Sequence, residues 1–400
     1  MSYIIFDNKI DFIYGKNGYL MMDSKAQRLF DIKAYESKLI KQMLQGKSYE
    51  MIIENDKLAK EFIDKLLSME IAKISESRYV EEKTRIGQLS RDNMLSTLNL
   101  DTLTIELPIS CNKGCNYCGE NLLFGCNMCE NFNTSFDCST YEKVVQGLKQ
   151  YQTLNKVIIT GGDIFKHYDT VRNFILSIKE IENIEVSIFN NICNLNKEII
   201  EDVINYDINL TLMLDLTEKS RDNEIKLLQD KKPLISDLEK NISYFAIVNS
   251  VEEEKIIKQM NEFNNIQVQY CYRIKSKEDL RTNQAYNQVI HITNAQQASI
   301  RKRLHPCLAG KLAIDSNLNV IPCLKMKGIN LSNINLEDLN LFQNYKEIQK
   351  YWTFSVRNYE GCKLCKYNVV CLDCRALEMK YVDGNRKVGC LKCEMQEELK

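Results

Sequence analysis

The sequence predicts an α/β fold: a parallel sheet or partial (β/α)6 TIM-type barrel, preceded by a small α+β module and followed by a cysteine-rich domain. Three observations carry this. Residues 1–78 contain short strand-like segments, then helical periodicity, and no cysteine. From about residue 100, strand-like and helix-like segments alternate six times. After residue 300 the periodicity fades and cysteines dominate. A chain of 400 residues is too long for one ordinary core, so domains are expected at 1–80, 98–290 and 300–400.

In the first module, SYIIF, KIDFIY and GYLMM alternate or run apolar between Asn/Gly/Asp turns, which predicts small antiparallel strands. AYESKLIKQMLQG, SYEMIIEN and KLAKEFIDKLLSM carry apolar residues three and four apart and predict three helices. IAKIS is a short final strand, and the polar stretch SESRYVEEKTRIGQLSRDN closes the module. The central strands are TLTIELPI, KVIITGG, IEVSIFN, NLTLMLDL, ISYFAIV and IQVQYCYRI. STYEKVVQGLKQYQ, TVRNFILSIKEI, NKEIIEDVIN and EEEKIIKQMNEFN are helices between them. Chemistry in such a sheet belongs at the C-terminal strand ends.

Hydrophobic content of 44% with 27% charged residues is ordinary for a soluble globular chain. Basic and acidic residues nearly balance at 53 against 54, so composition makes no case for nucleic acid or an anionic membrane. No apolar run approaches the roughly 20 residues of a membrane span. The start MSYIIFDNKIDFIYG lacks the basic, apolar and small-residue blocks of a signal peptide, so a cytoplasmic protein is expected.

Sixteen cysteines in such a chain point to metal. They cluster at 111–138 and 307–393, with Cys193 and Cys271 alone between. With three histidines in the chain, thiolate-only ligation is expected, as four-cysteine zinc or iron–sulfur. The first group begins just after the first central strand. Cys111, Cys115 and Cys118 are spaced C-x3-C-x2-C, which offers three thiolates to one centre and leaves a position open.

ELPISCNKGCNYC, with an Asn after its first cysteine and an aromatic before its third, resembles the radical SAM superfamily signature. The next strand ends in VIITGGDIF. Gly161 and Gly162 allow close backbone approach to a ligand, and Asp163 offers a carboxylate to an ammonium group. The superfamily usually has Gly-Gly-Glu there, contacting the amino group of S-adenosylmethionine (SAM). Its Ser-Asn-Gly segment is matched by IFNNICN, with Asn191 at the Asn. Asp215, ending TLMLDL, matches an Asp of related enzymes after the fourth strand; the alternative role is capping the next helix. The resemblance implies that Cys111, Cys115 and Cys118 hold a [4Fe–4S] cluster whose open iron takes SAM. It implies cleavage of SAM to a 5′-deoxyadenosyl radical that abstracts a substrate hydrogen.

The tail contains HPCLAGKLAIDSNLNVIPC, GCKLCKYNVVCLDC and GCLKC. Over about residues 300–395 this resembles the SPASM extension of peptide-modifying radical SAM enzymes, which carries auxiliary [4Fe–4S] clusters. Leu318 replaces the hairpin Gly, and Arg301 stands where some relatives have a cysteine. The resemblance implies one auxiliary cluster on Cys307, Cys323 and Cys374. A second would take Cys362, Cys365, Cys371 and either Cys390 or Cys393. The alternative from spacing alone is one or two four-cysteine zinc knuckles. Cys126 and Cys129 form an extra C-x2-C pair beyond the signature, either metal-binding, redox-active or simply buried, and Cys138 follows them.

The order of strands and helices in residues 1–78 resembles the winged-helix-like precursor-recognition elements related to the pyrroloquinoline-quinone pathway's D protein. Such a module would capture a leader peptide as an added strand. Together these resemblances imply an enzyme that modifies a ribosomally made precursor peptide, forming a thioether from a cysteine sulfur to carbon. A low-potential donor such as ferredoxin or flavodoxin would supply the electron. Carbon–carbon cross-linking and formylglycine formation, as in anaerobic sulfatase maturases, are the enzymatic alternatives. A zinc-stabilised regulator is the non-enzymatic one.

Overall fold

The computed structural model describes residues 1–16, 18–78, 99–115, 117–119, 121–125, 130, 132, 136–238, 240–260, 268–287, 298, 300–334, 337, 341–354, 358, 362–371 and 374–381. Strands β1 (Tyr3–Phe6), β2 (Ile10–Gly15), β3 (Gly18–Asp23) and β4 (Arg28–Asp31) come first. Helices α1 (Ala34–Leu44), α2 (Tyr49–Ile53) and α3 (Lys57–Ser68) follow, then β5 (Ala72–Ser75). β1 pairs antiparallel with β5, and β2-β3-β4 form a separate antiparallel sheet. α2 and α3 start where short polar side chains cap them: Ser48 accepts from the Met51 amide and Asp56 from the Ala59 amide.

The β2-β3-β4 sheet is buried on both faces. Successive side chains in a strand point to opposite faces. Tyr19 and Met21 therefore pack with Leu39, Ile40 and Ile63 of the helices. Leu20 and Met22, with Ile13 opposite Leu20, pack on Ala298, Val369 and Val370 of the cysteine-rich segment. Polar contacts reinforce this second face. The Lys16 amide donates to the Leu364 carbonyl at 2.6 Å. Lys366, with its side chain 8% exposed, pairs with Asp31 at 2.6 Å and donates to the Ile32 carbonyl at 3.0 Å. The Tyr367 hydroxyl donates to Asp31 at 2.8 Å.

The main sheet contains β6 (Thr102–Leu107), β7 (Leu122–Leu123), β8 (Lys156–Gly161), β9 (Glu185–Asn191), β10 (Asn209–Asp215), β11 (Ile242–Val248) and β12 (Val268–Arg273). β13 (Lys311–Ile314), β14 (Asn319–Ile321) and β15 (Ser332–Asn333) extend it. The order is β15-β14-β13-β6-β8-β9-β10-β11-β12-β7, open at both ends among the described strands. All six sequence-predicted central strands are present, parallel and in sequential order. β13 adds parallel to β6, whereas β14, β15 and β7 pair antiparallel. The tail hairpin expected from LAI…NVI is β13–β14, and Leu318 in its turn has φ 62, the left-handed region where glycine is costless.

The connecting helices are α4 (Cys138–Leu148), α5 (Tyr168–Lys179), α6 (Lys197–Asn205), α7 (Arg221–Ile235), α8 (Val251–Lys258), α9 (Lys277–Thr282) and α10 (Gln284–Asn287). The tail adds α11 (Tyr345–Trp352) and α12 (Arg375–Tyr381). One face of the parallel sheet, including Ile105, Ile159, Ile188, Leu212 and Ala246, packs with helix residues such as Val144, Ile175 and Val203. The alternate residues Phe189, Met213, Phe245, Ile247 and Cys271 form an inner cluster closed by Tyr117. Among the described residues, no helix is long and apolar enough to cross a membrane.

Candidate functional site

The site lies at the C-terminal ends of the parallel strands. The chain leaves β6 at Leu107 and enters the Cys111–Cys118 loop, where Gly114 adopts φ 63 and lets the backbone reverse between Cys111 and Cys115. Tyr117, the aromatic of the motif, is 1% exposed and anchors this loop on the inner face beside Phe189, Met213 and Phe245. Cys111, Cys115 and Cys118 line one cavity of about 180 Å³ together with Asn112, Gly114, Tyr117 and Glu130.

The end of β8 crosses directly beneath. The Asp163 amide donates to the Ser110 carbonyl at 3.1 Å. A β-carbon on Gly162 would stand 2.0 Å from the Ile109 carbonyl oxygen, and one on Gly161 (φ 147) would stand 2.5 Å from that of Leu107. Both glycines are required because two backbones meet there. Asp163 is 2% exposed. Its carboxylate accepts from Asn190 at 3.1 Å, Asn194 at 2.6 Å and the Lys166 amide at 3.2 Å. A carboxylate offers about four lone-pair sites, so one acceptor position remains for an ammonium.

Asn191, at the end of β9, is 1% exposed; its Oδ1 accepts from the Cys193 amide at 2.9 Å, while its buried Nδ2 has no hydrogen-bond partner among the described residues. Asp215, at the end of β10, is 3% exposed and accepts from the amide and hydroxyl of Thr217 at 3.2 and 2.7 Å. The residue before α7 is Ser220, so Asp215 does not cap that helix.

Burial pushes the Cys111 thiol up and raises that of Cys115 to about 11. Such thiols ionise only against a compensating positive charge. Lys113 lies inside the loop, but its ammonium pairs with Glu224 of α7 at 2.6 Å, both side chains being under 10% exposed. Burial works against the Lys113 ammonium, yet Glu224 and the surrounding thiols hold it above the usual range. Sequence reading missed this pair, and it missed Cys193. Burial raises the Cys193 thiol first; the Lys113 charge opposes, and Glu224, Asp163 and Cys111 add to the rise.

Three thiols, a cavity, an unpartnered amide and two side-chain-free crossings fit an iron–sulfur group with a ligand on its open position. Among the described residues no group of three or more His, Cys, Asp or Glu side chains is gathered to hold a single metal ion. A cubane differs from one ion in this respect, because each cysteine binds a different iron.

In the tail, the Cys365 amide donates to the Cys362 carbonyl and the Cys371 amide to the Tyr367 carbonyl, in consecutive turns. Cys307 follows His305, whose Nδ1 accepts from the Cys307 and Leu308 amides at 3.1 Å. Cys323 and Cys374 are half-buried against the main core. Burial lowers the Arg301 guanidinium, and the nearby Cys371 counters it. Cys126, Cys129, Cys390 and Cys393 lie outside the described residues. Cys138 opens α4, exposed, with its thiol toward the Thr170 carbonyl at 3.5 Å.

No sequence-family model matches the chain, and no curated protein matches it. Solved structures do. Native anSMEcpe with bound AdoMet aligns with TM-score 0.54 at 14% identity, covering 74% of this chain and 95% of that one. The same protein with bound AdoMet and Cp18Cys peptide aligns with TM-score 0.52 at 13% identity, covering 74% and 94%. Streptococcus suis SuiB aligns with TM-score 0.49 at 13% identity over 97% of this chain and 100% of that one. At these identities the likeness to anSMEcpe is one of fold.

Proposed function

We propose that the chain is a radical SAM enzyme acting on a peptide. The observation that carries this is the cavity shared by Cys111, Cys115 and Cys118 at the end of the first parallel strand, beside the Gly161–Gly162–Asp163 strand end. The neighbour of like fold binds AdoMet and a peptide, which supports the same ligands here. A [4Fe–4S] cluster with SAM, when bound, supplies a 5′-deoxyadenosyl radical for hydrogen abstraction from substrate.

The chain's own residues do the rest. Cys111, Cys115 and Cys118 hold the cluster, and Gly161 and Gly162 let the β8 end approach the ligand. The free acceptor site of Asp163 takes SAM's ammonium, and the open donor of Asn191 takes an acceptor of the same ligand. Asp215 stands at the rim of the next strand. Tyr117 and the inner apolar cluster exclude water.

The finer reading takes the chain in three parts, 1–80, 98–290 and 300–400. The first part would bind the leader of a precursor peptide. The tail would hold one or two auxiliary [4Fe–4S] clusters on Cys307, Cys323 and Cys374 and on Cys362, Cys365, Cys371 and Cys390 or Cys393. The modification we assign is a thioether from cysteine sulfur to carbon, driven by a ferredoxin- or flavodoxin-type donor. Replacing Cys111, Cys115 and Cys118 together by Ala should abolish 5′-deoxyadenosine formation while tail-bound iron remains. Undiminished deoxyadenosine would overturn the assignment.

A further inference from the structure

The Lys113–Glu224 pair joins the loop between the first two cysteines to the first turn of α7, in a place where water is nearly absent. Lys113 does not line the cysteine cavity; its ammonium meets Glu224 and lies close enough to the Cys115 and Cys193 thiols to act on both. Three thiolates and an iron–sulfur core together carry net negative charge. A buried ammonium in the same loop would favour the reduced, more negative cluster. Glu224 cancels that ammonium.

We propose that Glu224 is a positioning residue which neutralises Lys113, so that the loop is pinned by a buried ion pair without lifting the reduction potential of the cluster held by Cys111, Cys115 and Cys118. The inference rests on the radical SAM reading. A chemistry that begins with one electron donated to SAM needs a strongly reducing cluster, and an uncancelled cation beside it would work against that need. Glu224 reaches the loop because it lies one turn into α7, and Lys113 reaches the helix because Gly114 turns the chain immediately after it.

The test uses the full chain reconstituted with iron and sulfide, read by EPR-monitored redox titration, with the Cys111/Cys115/Cys118 triple Ala variant subtracting the tail signals. Glu224→Gln is expected to bind the same iron and to titrate at a higher potential. Glu224→Asp should stay close to the parent. The double variant Lys113→Met/Glu224→Gln, which removes both charges, should return toward the parent value. An unchanged potential in Glu224→Gln at full iron content overturns the proposal, as does a double variant that keeps the single variant's shift. Hydrogen exchange of residues 111–118 without iron gives a second readout, expected to quicken in Glu224→Gln and unchanged if the pair pins nothing. Failure of the parent to bind iron at these cysteines would instead defeat the functional reading, leaving the exchange result to judge the pair.

Discussion

Gly15 ends β2 against the cysteine-rich segment. A β-carbon there would stand 2.2 Å from the Lys366 nitrogen, 2.8 Å from its Cα and 2.9 Å from the Cys365 carbonyl carbon. Every one of these is backbone, so no side chain can rotate away. Ordinary contact begins at 3.4 Å, so the hairpin or the Cys365–Lys366 peptide must move by about 3.4 − 2.2 = 1.2 Å in Gly15→Ala. Overpacking of this kind costs about 1–3 kcal/mol. The population with the segment undocked then rises roughly 5- to 150-fold. The control is Gly328→Ala, where an added carbon meets nothing within 4 Å. Hydrogen exchange should show faster exchange at the Lys16 amide and across 362–371 in Gly15→Ala, and parent rates in Gly328→Ala. Equal rates in the two variants would refute the steric argument.

Other expectations follow from single contacts. Tyr141 is 2% exposed and its hydroxyl has no partner among the described residues, so Tyr141→Phe should leave the melting temperature unchanged or raise stability by about 1 kcal/mol; a clear loss would reveal a bond to the hydroxyl. Arg172 donates to Asp202 at 2.8 Å, and this bond, aided by the Tyr168 hydroxyl, holds the Asp202 carboxyl below the usual range. A lowered folded-state value adds stability that is present above the ordinary carboxylate range and lost as pH falls through the lowered one. Urea unfolding between about pH 5 and pH 2 should therefore show a steeper loss in the parent than in Arg172→Leu. Removing residues 1–78 would uncover Ala298, Val369 and Val370, so we expect that truncation to aggregate, measured by light scattering. A monodisperse truncation would contradict the packing described.

The main sheet was legible because its central strands are rich in apolar and β-branched residues and most are followed by amphipathic helices. The cysteine loop was legible because its spacing sits directly after the first of those strands. β4 escaped notice: it is four residues long, and its apolar Leu29 and Phe30 are divided between its two faces. β7 is two residues and exists through pairing with β12. α7 was hidden by composition, since RDNEIKLLQDKKPLI is largely charged and contains Pro233, with Glu224, Leu228 and Ile235 as its buried residues. Glu224 was hidden with it. No local signal could pair a charge at residue 224 with one at 113, because only the parallel sheet brings those segments together. Cys193 did carry a signal, two positions beyond Asn191, in a segment already assigned to ligand binding.

The two-sided burial of the β2-β3-β4 sheet bears on how such proteins can be recombined. A module attached only by a linker could be exchanged between proteins as a cassette. Here Ile13, Leu20 and Met22 are shaped to Val369 and Val370, and Asp31 to Lys366. A foreign first module grafted onto this chain would need to bring the matching 362–371 segment with it. The unit of inheritance is then the pair of surfaces, separated by more than 330 positions in sequence but joined in space, and substitutions on one should be tolerated mainly when the other changes in step.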